Sequence, residues 1–234
     1  MPRLIAAFIR HGDYKQLTGA PSALQPFALT PAGLLQVKQA ADALLSCCRQ
    51  NQWLLHPVID CSTLLRAWQT AQGIQSVFRQ ETSLDCTIES FDELCERSVG
   101  SAANLTTGQI EAILEEDPRY ETPPVNWKSD SYYCLPFPGA ESLMSAGERV
   151  ARHISQRMLD AKTQVSVDTL MLFVGHGASL RHAAYQLGLL KFEQIALLSM
   201  YHTQPIYIEL TTAHEYRHIA GEWKIRKKRE AFTD

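Results

Sequence analysis

Two stretches of this chain end in the same way. LIAAFI at 4–9 runs into Arg10-His11-Gly12, and TLMLFV at 169–174 runs into Gly175-His176-Gly177. Neither stretch alternates apolar with polar residues. That is the pattern of a strand covered on both faces, which belongs to a parallel sheet held between layers of helices. A guanidinium and an imidazole at a strand end are costly to bury unless they face something that needs them. The glycine after each His lets a ligand approach the backbone closely. In open α/β sheets ligands sit beyond the carboxyl ends of the strands, so the same two stretches suggest both a fold and a place for its site.

The rest of the chain supplies the alternation this fold requires. Thr30-Pro31 offers an N-cap followed by proline at the first helical position, and apolar residues at Leu34, Val37, Ala41, Leu44 and Leu45 carry that helix to about Gln50. PVIDC at 57–61 reads as a short strand, 64–78 as a helix and 84–91 as a third strand. Helical periodicity returns over 141–162 and 179–187, with a further helix over 191–200, and strands close the chain at 205–211 and 216–223. Between them, 97–138 holds one helix, 107–116, and then a stretch rich in Pro and aromatic residues. The expected fold is a three-layer α/β/α sandwich with a mostly parallel central sheet. The whole of 1–234 forms one domain in this reading, and 97–138 is a small α-rich lid inserted over the sheet.

Composition narrows the function classes. A net charge of −3 gives no general argument for nucleic acid, and the one basic cluster, KIRKKR at 224–229, reads as a solvated tail. No run approaches the ~20 apolar residues of a membrane span, and the apolar part of the N-terminus is short for a signal peptide. The six cysteines show no CxxC pair and no metal spacing, and Cys47-Cys48 falls inside a helical pattern, so buried thiols in a reducing cytoplasm are expected. No cofactor and no metal are implied. An edge strand offers a route to a homodimer.

The other strand ends add Arg66 after PVIDCSTLL, and Glu96 with Arg97 after TIESFDELC, while the helix after Gly177 presents amide donors at its positive end. Arg10, His11, Arg66 and His176 converging on one spot would make a dense positive site, whose natural partner is a phosphoryl group matched to guanidinium geometry. A neutral imidazole is a nucleophile toward phosphorus, and a phosphohistidine divides one hard transfer into two easier ones. The chemistry also needs an acid for the leaving oxygen, and Glu96 is the best placed carboxylate. His182, His202, His214 and His218 share no metal-like spacing and read as structural or exposed. Trp127, Tyr132, Tyr133 and Phe137 read as packing the lid onto the sheet or, alternatively, as an apolar wall over the substrate. Glu141-Ser142 reads as a helix start, and Arg181 as facing away from the site.

Strand-RHG near the N-terminus, LTPAG at 29–33, STLLRAWQTA at 62–71, ELCERSVG at 93–100, ESL at 141–143 and GHGASLR at 175–181 follow one another in an order that resembles the histidine phosphatase superfamily, in its phosphoglycerate mutase-like branch. The resemblance implies that His11 is phosphorylated and that Arg10, Arg66 and His176 hold the phosphoryl oxygens. It implies that Glu96, with Glu93 as its nearby competitor, is the acid, and that Arg97 and residues 13–19 contact substrate. Gly177, Ala178 and Ser179 would turn backbone toward the phosphate.

Three departures from the mutase pattern matter. Leu17 and Ala178 stand where mutases carry Asn. The stretch 100–138 holds only Arg119 and Lys128 in place of an adjacent pair of arginines. A mutase must retain and reorient a bisphosphorylated intermediate, so the expectation is a metal-independent phosphomonoester hydrolase acting on a small phosphorylated substrate. A phosphoglycerate mutase-type phosphotransferase, or a catalytically silent regulatory member of the fold, is the alternative.

Overall fold

The computed structural model describes residues 2–22, 24–82, 84–212 and 215–226; His214 and Lys227 to Arg229 lie outside that range. Six strands form the central sheet: β1 (Leu4–Arg10), β2 (Leu54–Ser62), β3 (Thr87–Phe91), β4 (Thr169–Gly175), β6 (Ile206–Leu210) and β7 (Tyr216–Ala220), in the order β3-β2-β4-β1-β6-β7. The first four in that order run parallel, and β6 and β7 extend the β1 edge antiparallel. Two-residue strands β5 (Leu198–Ser199) and β8 (Lys224–Ile225) pair apart from the sheet.

Because side chains alternate along a strand, β1 divides its apolar residues between the two faces. Ile5, Ala7 and Ile9 pack with α1 (Pro31–Asn51) and α2 (Leu65–Thr82); Leu4, Ala6 and Phe8 pack with α4 (Leu143–Lys162) and α5 (Gly177–Gln186). Both faces are covered, as the unbroken apolar runs require, and each fully buried Leu, Ile or Phe contributes roughly 1.5–3 kcal/mol by leaving water. On the second face Asp60 of β2 is buried and receives Arg157 Nε at 2.7 Å and His153 Nε2 at 3.0 Å, both from α4. That cluster ties the helix to the strand that leads into Arg66.

Local chemistry sets the elements nearest the site. Thr30 caps α1 by accepting the Gly33 amide at 3.0 Å, with Pro31 behind it. A Cβ on Gly33 would lie 2.0 Å from the Asp13 carbonyl oxygen, so α1 begins hard against the loop that follows His11. Gly147 of α4 has the same role against α5, where a Cβ would come within 2.3 Å of His182 Cβ.

Several boundaries differ from the sequence reading. The third strand begins at Thr87 rather than at 84. The helix expected over 191–200 shrinks to α6 (Phe192–Ile195), because Leu198 and Ser199 leave it to pair with Ile225 and Lys224. The same pairing makes the start of the basic cluster a strand rather than a solvated tail. Strand β7 stops at Ala220, before Gly221 at φ +86. Helix α4 starts at Leu143 with Ser142 as its cap, since the Ser142 hydroxyl accepts the Ser145 amide. The lid carries the one helix expected in it, α3 (Thr107–Glu116), as its one α-helix among the described residues. A small core of Val99, Ala102, Ile110, Leu114, Trp127 and Leu135 holds it together. Trp127 thus packs the lid upon itself, Tyr133 and Phe137 flank that core, and Tyr132 stays exposed and stacks on Phe192.

Candidate active site

Register brings the two histidines together. Strands β1 and β4 lie side by side with Arg10 opposite Gly175, and the His11 amide continues the ladder to the Gly175 carbonyl at 3.0 Å. The next residue on each strand is a histidine, and their ring centroids lie 5.0 Å apart. Both side chains are buried.

The hydrogen bonds of His11 fix its tautomer. Its Nδ1 lies 2.8 Å from the Gly12 carbonyl, which can only accept, so Nδ1 carries the proton. The lone pair is on Nε2, which receives Nε–H of Arg66 at 3.2 Å. The His11 carbonyl accepts from His202 Nδ1 at 2.7 Å, and the Gly12 amide donates to Thr70 Oγ1. Tyr14 meets the imidazole edge-on at 5.2 Å. Burial, followed by the nearby charges of Arg66, His176, Arg10 and His202, holds the His11 pKa well below the ordinary histidine value. A buried, neutral imidazole with a defined lone pair is the form a nucleophile needs.

Arg66 is fully buried at the start of α2. Its Nη1 and Nη2 donate to the carbonyls of Gln25 and Ser22 at 2.8 and 3.1 Å, and its guanidinium lies over the Tyr14 ring at 4.5 Å. It therefore pins the loop after β1 while turning Nε toward His11. Arg10 extends under Gly177, where a Cβ would sit 3.2 Å from its Cδ and Nε, and its Nη1 donates to the Met200 carbonyl.

His176 is the residue before α5. Its Nε2 lies 2.9 Å from Ser62 Oγ, and its Nδ1 is buried without a hydrogen-bond partner among the described residues. Burial, then Arg66, Arg10 and Arg149, lowers its pKa well below the usual histidine value too.

Glu96 is buried, and one oxygen accepts the amides of Ser179 and Arg97 at 3.0 and 2.9 Å while the other accepts that of Ala178 at 3.1 Å. The carboxylate thus occupies the positive end of α5. The amides of Ala178 and Ser179, expected to face a phosphate, donate in this structure to the carboxylate of Glu96. Glu93, by contrast, is exposed. The turn that carries Glu96 is held by Arg149 of α4, whose Nη1 donates to the carbonyls of Asp92 at 2.9 Å and Glu93 at 2.7 Å, and whose Nη2 meets Glu141 at 2.6 Å. Glu141 also accepts the Ser98 amide, so it supports this turn. Arg97 is buried, lies over Trp127 at 5.8 Å and donates to the Lys128 carbonyl at 3.3 Å.

Two cavities flank this centre. One of about 600 Å³ lies between residues 16–20 and the lid, lined by Leu17, Thr107, Glu111, Asn126 and Trp127. Another, about 420 Å³, is walled by Ala178, Arg181, His182, Phe192 and Lys128. Arg181 is buried in that second wall rather than turned away into solvent. Among the described residues no group of three or more His, Cys, Asp or Glu could hold a metal ion.

The sequence reading gave no role to three residues that the fold brings to this centre or beneath it: Ser62, Thr70 and Arg149. His202 had been set aside as structural or exposed, yet it packs on His11, because an isolated bridge pairs it with Arg10. Nothing in a one-dimensional pattern marks that contact across 191 residues.

The histidine phosphatase superfamily (branch 1) model matches residues 6–220. The chain belongs to that superfamily. The 2,3-bisphosphoglycerate-dependent phosphoglycerate mutase of Parvibaculum lavamentivorans is 26% identical over 211 residues, covering 90% of this chain and 91% of that protein. Solved structures of similar fold include a mycobacterial glucosyl-3-phosphoglycerate phosphatase, with TM-score 0.63 and 20% identity, covering 96% of this chain and 98% of that one. They also include a phosphoglycerate mutase from Bacillus anthracis, with TM-score 0.68 and 14% identity, covering 94% and 92%. For a histidine phosphatase superfamily member the paired strand-end histidines and Arg66 stand in one buried cluster, and among the described residues no helix is long and apolar enough to cross a membrane.

Proposed function

We propose that this protein hydrolyses small phosphomonoesters through a phosphohistidine on His11. The observation that carries the reading is the Nε2 lone pair of a buried, neutral His11, fixed by the Nδ1 bond to the Gly12 carbonyl and met only by Arg66 Nε–H among the hydrogen bonds described above, with Arg10 and His176 nearby. Nε2 attacks phosphorus, the ester P–O bond breaks, and the arginines and His176 stabilise charge on the equatorial oxygens. Glu96 leaves the amides of α5, takes up a proton from solvent and gives it to the departing oxygen; it then takes a proton from the water that attacks the phosphohistidine, whose N–P bond breaks to release inorganic phosphate.

The relative from Parvibaculum favours a second reading, transfer between phosphoglycerate positions. Against it stands the lid, whose stretch 100–138 carries Arg119 and Lys128 as its only Lys or Arg. Arg119 is exposed and bound to Asp117 at 2.6 Å. A mutase must retain a highly anionic intermediate, which needs more cations than these.

A reducing, cytoplasmic setting is part of the same proposal, supported by six free thiols. The test is p-nitrophenyl phosphate turnover in EDTA by the intact chain and by His11→Ala. Metal-independent release lost in the variant supports the hydrolase. Interconversion of phosphoglycerates with little release of phosphate supports the mutase, and no turnover of any ester supports a silent member of the fold.

A further inference from the structure

His176 ends a chain of hydrogen bonds that begins on the surface. The Thr63 hydroxyl donates to Asp92 Oδ1 at 2.7 Å, Thr63 Oγ1 lies 3.1 Å from Cys95 Sγ, and Ser62 Oγ donates to that sulfur at 3.3 Å. Ser62 Oγ then meets His176 Nε2 at 2.9 Å and also accepts the Leu64 amide. Each hydroxyl and the thiol has one proton to give, and a carboxylate only accepts. Asp92 therefore sets the direction of the Thr63–Cys95 bond, and the donation from Ser62 to the sulfur sets the direction of the rest. Thr63 spends its proton on Asp92, so Cys95 donates to Thr63. Ser62 spends its proton on Cys95, so Ser62 accepts from His176. The Nε2 of His176 must carry hydrogen, and its other nitrogen, Nδ1, keeps a lone pair. Nδ1 is also the buried nitrogen with no partner among the described residues, and so the one left for a ligand.

We propose that the relay Asp92–Thr63–Cys95–Ser62 locks His176 as the Nε2–H tautomer, so that a phosphoryl dianion binds together with a proton taken up on Nδ1. A bare lone pair would repel the anion; a protonated Nδ1 donates to it while Nε2–H stays on Ser62. Arg66 of α2, Arg10 of β1 and Arg149 of α4 bear on the ring and oppose its charging, and His11, the residue after β1, faces it. The dianion reverses that balance. Ser62 is thus a positioning residue acting through His176, and Asp92 acts at the far end of the chain. The inference rests on the phosphoryl site proposed above, but its readout does not depend on turnover.

The test is nitrogen-15 NMR of the histidine rings in the full chain, free and with inorganic phosphate, paired with calorimetry in buffers of different ionisation enthalpy above neutral pH. Free His176 is expected to show a protonated Nε2 and a bare Nδ1, and phosphate binding to take up close to one proton per site. In Asp92→Ala, an exposed change that spares the core, and in Ser62→Ala, the ring is released to the Nδ1–H tautomer, which donates without taking up a proton. Uptake is then expected to fall, and phosphate affinity in Ser62→Ala to drop about tenfold. An Nδ1–H tautomer in the free native chain, or unchanged uptake in both variants, overturns the relay. Formation of a phosphohistidine alongside either result removes the relay and leaves the hydrolase reading standing; the expected tautomer and uptake without a phosphohistidine do the reverse.

Discussion

The carboxylate of Glu96 accepts the amide of Ala178 at 3.1 Å, which sets a negative charge of the chain's own at the positive end of α5. The side chain is held by three amides and is buried, with Arg149 gripping the turn beneath it. An arriving phosphate dianion and this carboxylate compete for the same donors. In the proposed hydrolysis Glu96 gives up these amides to the substrate and turns to the leaving group.

Glu96→Gln keeps the size and one acceptor but can neither give a proton nor repel a dianion. For an alkyl phosphate, whose leaving oxygen needs that proton, kcat is expected to fall by about 10²–10⁴. For p-nitrophenyl phosphate, whose leaving group needs little help, the loss is smaller. Inorganic phosphate is expected to inhibit the variant more tightly. Steady-state kinetics on the two esters, with inhibition constants, check all three points; an unchanged kcat on the alkyl phosphate would remove Glu96 from the proton transfer.

Arg66→Lys tests whether charge alone suffices. Arg66 serves His11 with Nε and the loop carbonyls of Ser22 and Gln25 with its two other nitrogens. A lysine is a single point donor and cannot do both. The expected loss in kcat/KM is about 10²–10³, with little recovery relative to Arg66→Ala. Near-native kinetics in the lysine variant would show that the fork geometry is dispensable.

Acid should destabilise the fold through its buried imidazoles. Burial, then the charge of Arg181, lowers the His182 pKa to about 4, and His11 and His176 are lowered in the same sense. Below the ordinary histidine value the unfolded chain binds protons that the folded chain refuses, so stability is whole above that value and declines as pH falls toward the folded values. His182 alone is expected to account for about 3 kcal/mol between neutrality and pH 4. Denaturant titrations at a series of pH values measure it, and His182→Gln should flatten part of the slope. A stability independent of pH over that window would contradict the burial argument.

Arg149→Ala is expected to act at a distance from the phosphoryl site. It frees the carbonyls of Asp92 and Glu93 and the carboxylate of Glu141, loosening the turn that aims Glu96. A stability loss of about 2 kcal/mol, or roughly 5 °C in Tm, should accompany a fall in kcat of about tenfold. Calorimetry and kinetics on one preparation separate the two effects; an unaltered kcat would mean that Glu96 is aimed without it.

Much of this site is readable in the chain because strand register is local physics. Once the runs ending at Arg10 and Val174 are taken as neighbouring parallel strands, His11 and His176 must meet, and Arg66 follows from the next strand-to-helix junction. The residues beneath the site were not readable for the opposite reason. Ser62 matters through a sulfur 33 residues on, and His202 through a bridge to Arg10. Both contacts are products of tertiary packing. The short α6 fails in the same way: local periodicity favours helix over 191–200, but pairing of Leu198 with Ile225 overrides it. The occupied amides of Ala178 and Ser179 could not be foreseen either, since the glutamate that fills them comes from a turn 82 residues earlier.

The central claim is that His11 Nε2 accepts a phosphoryl group. It is tested most directly by mixing the full chain with a phosphorus-32 phosphomonoester, quenching rapidly in alkaline denaturant, and locating the base-stable, acid-labile label by peptide mapping. The account expects label on His11 within one turnover, absent in His11→Ala and lasting longer in Glu96→Gln. Turnover by the native chain with no label on His11, or label on another residue, would contradict it.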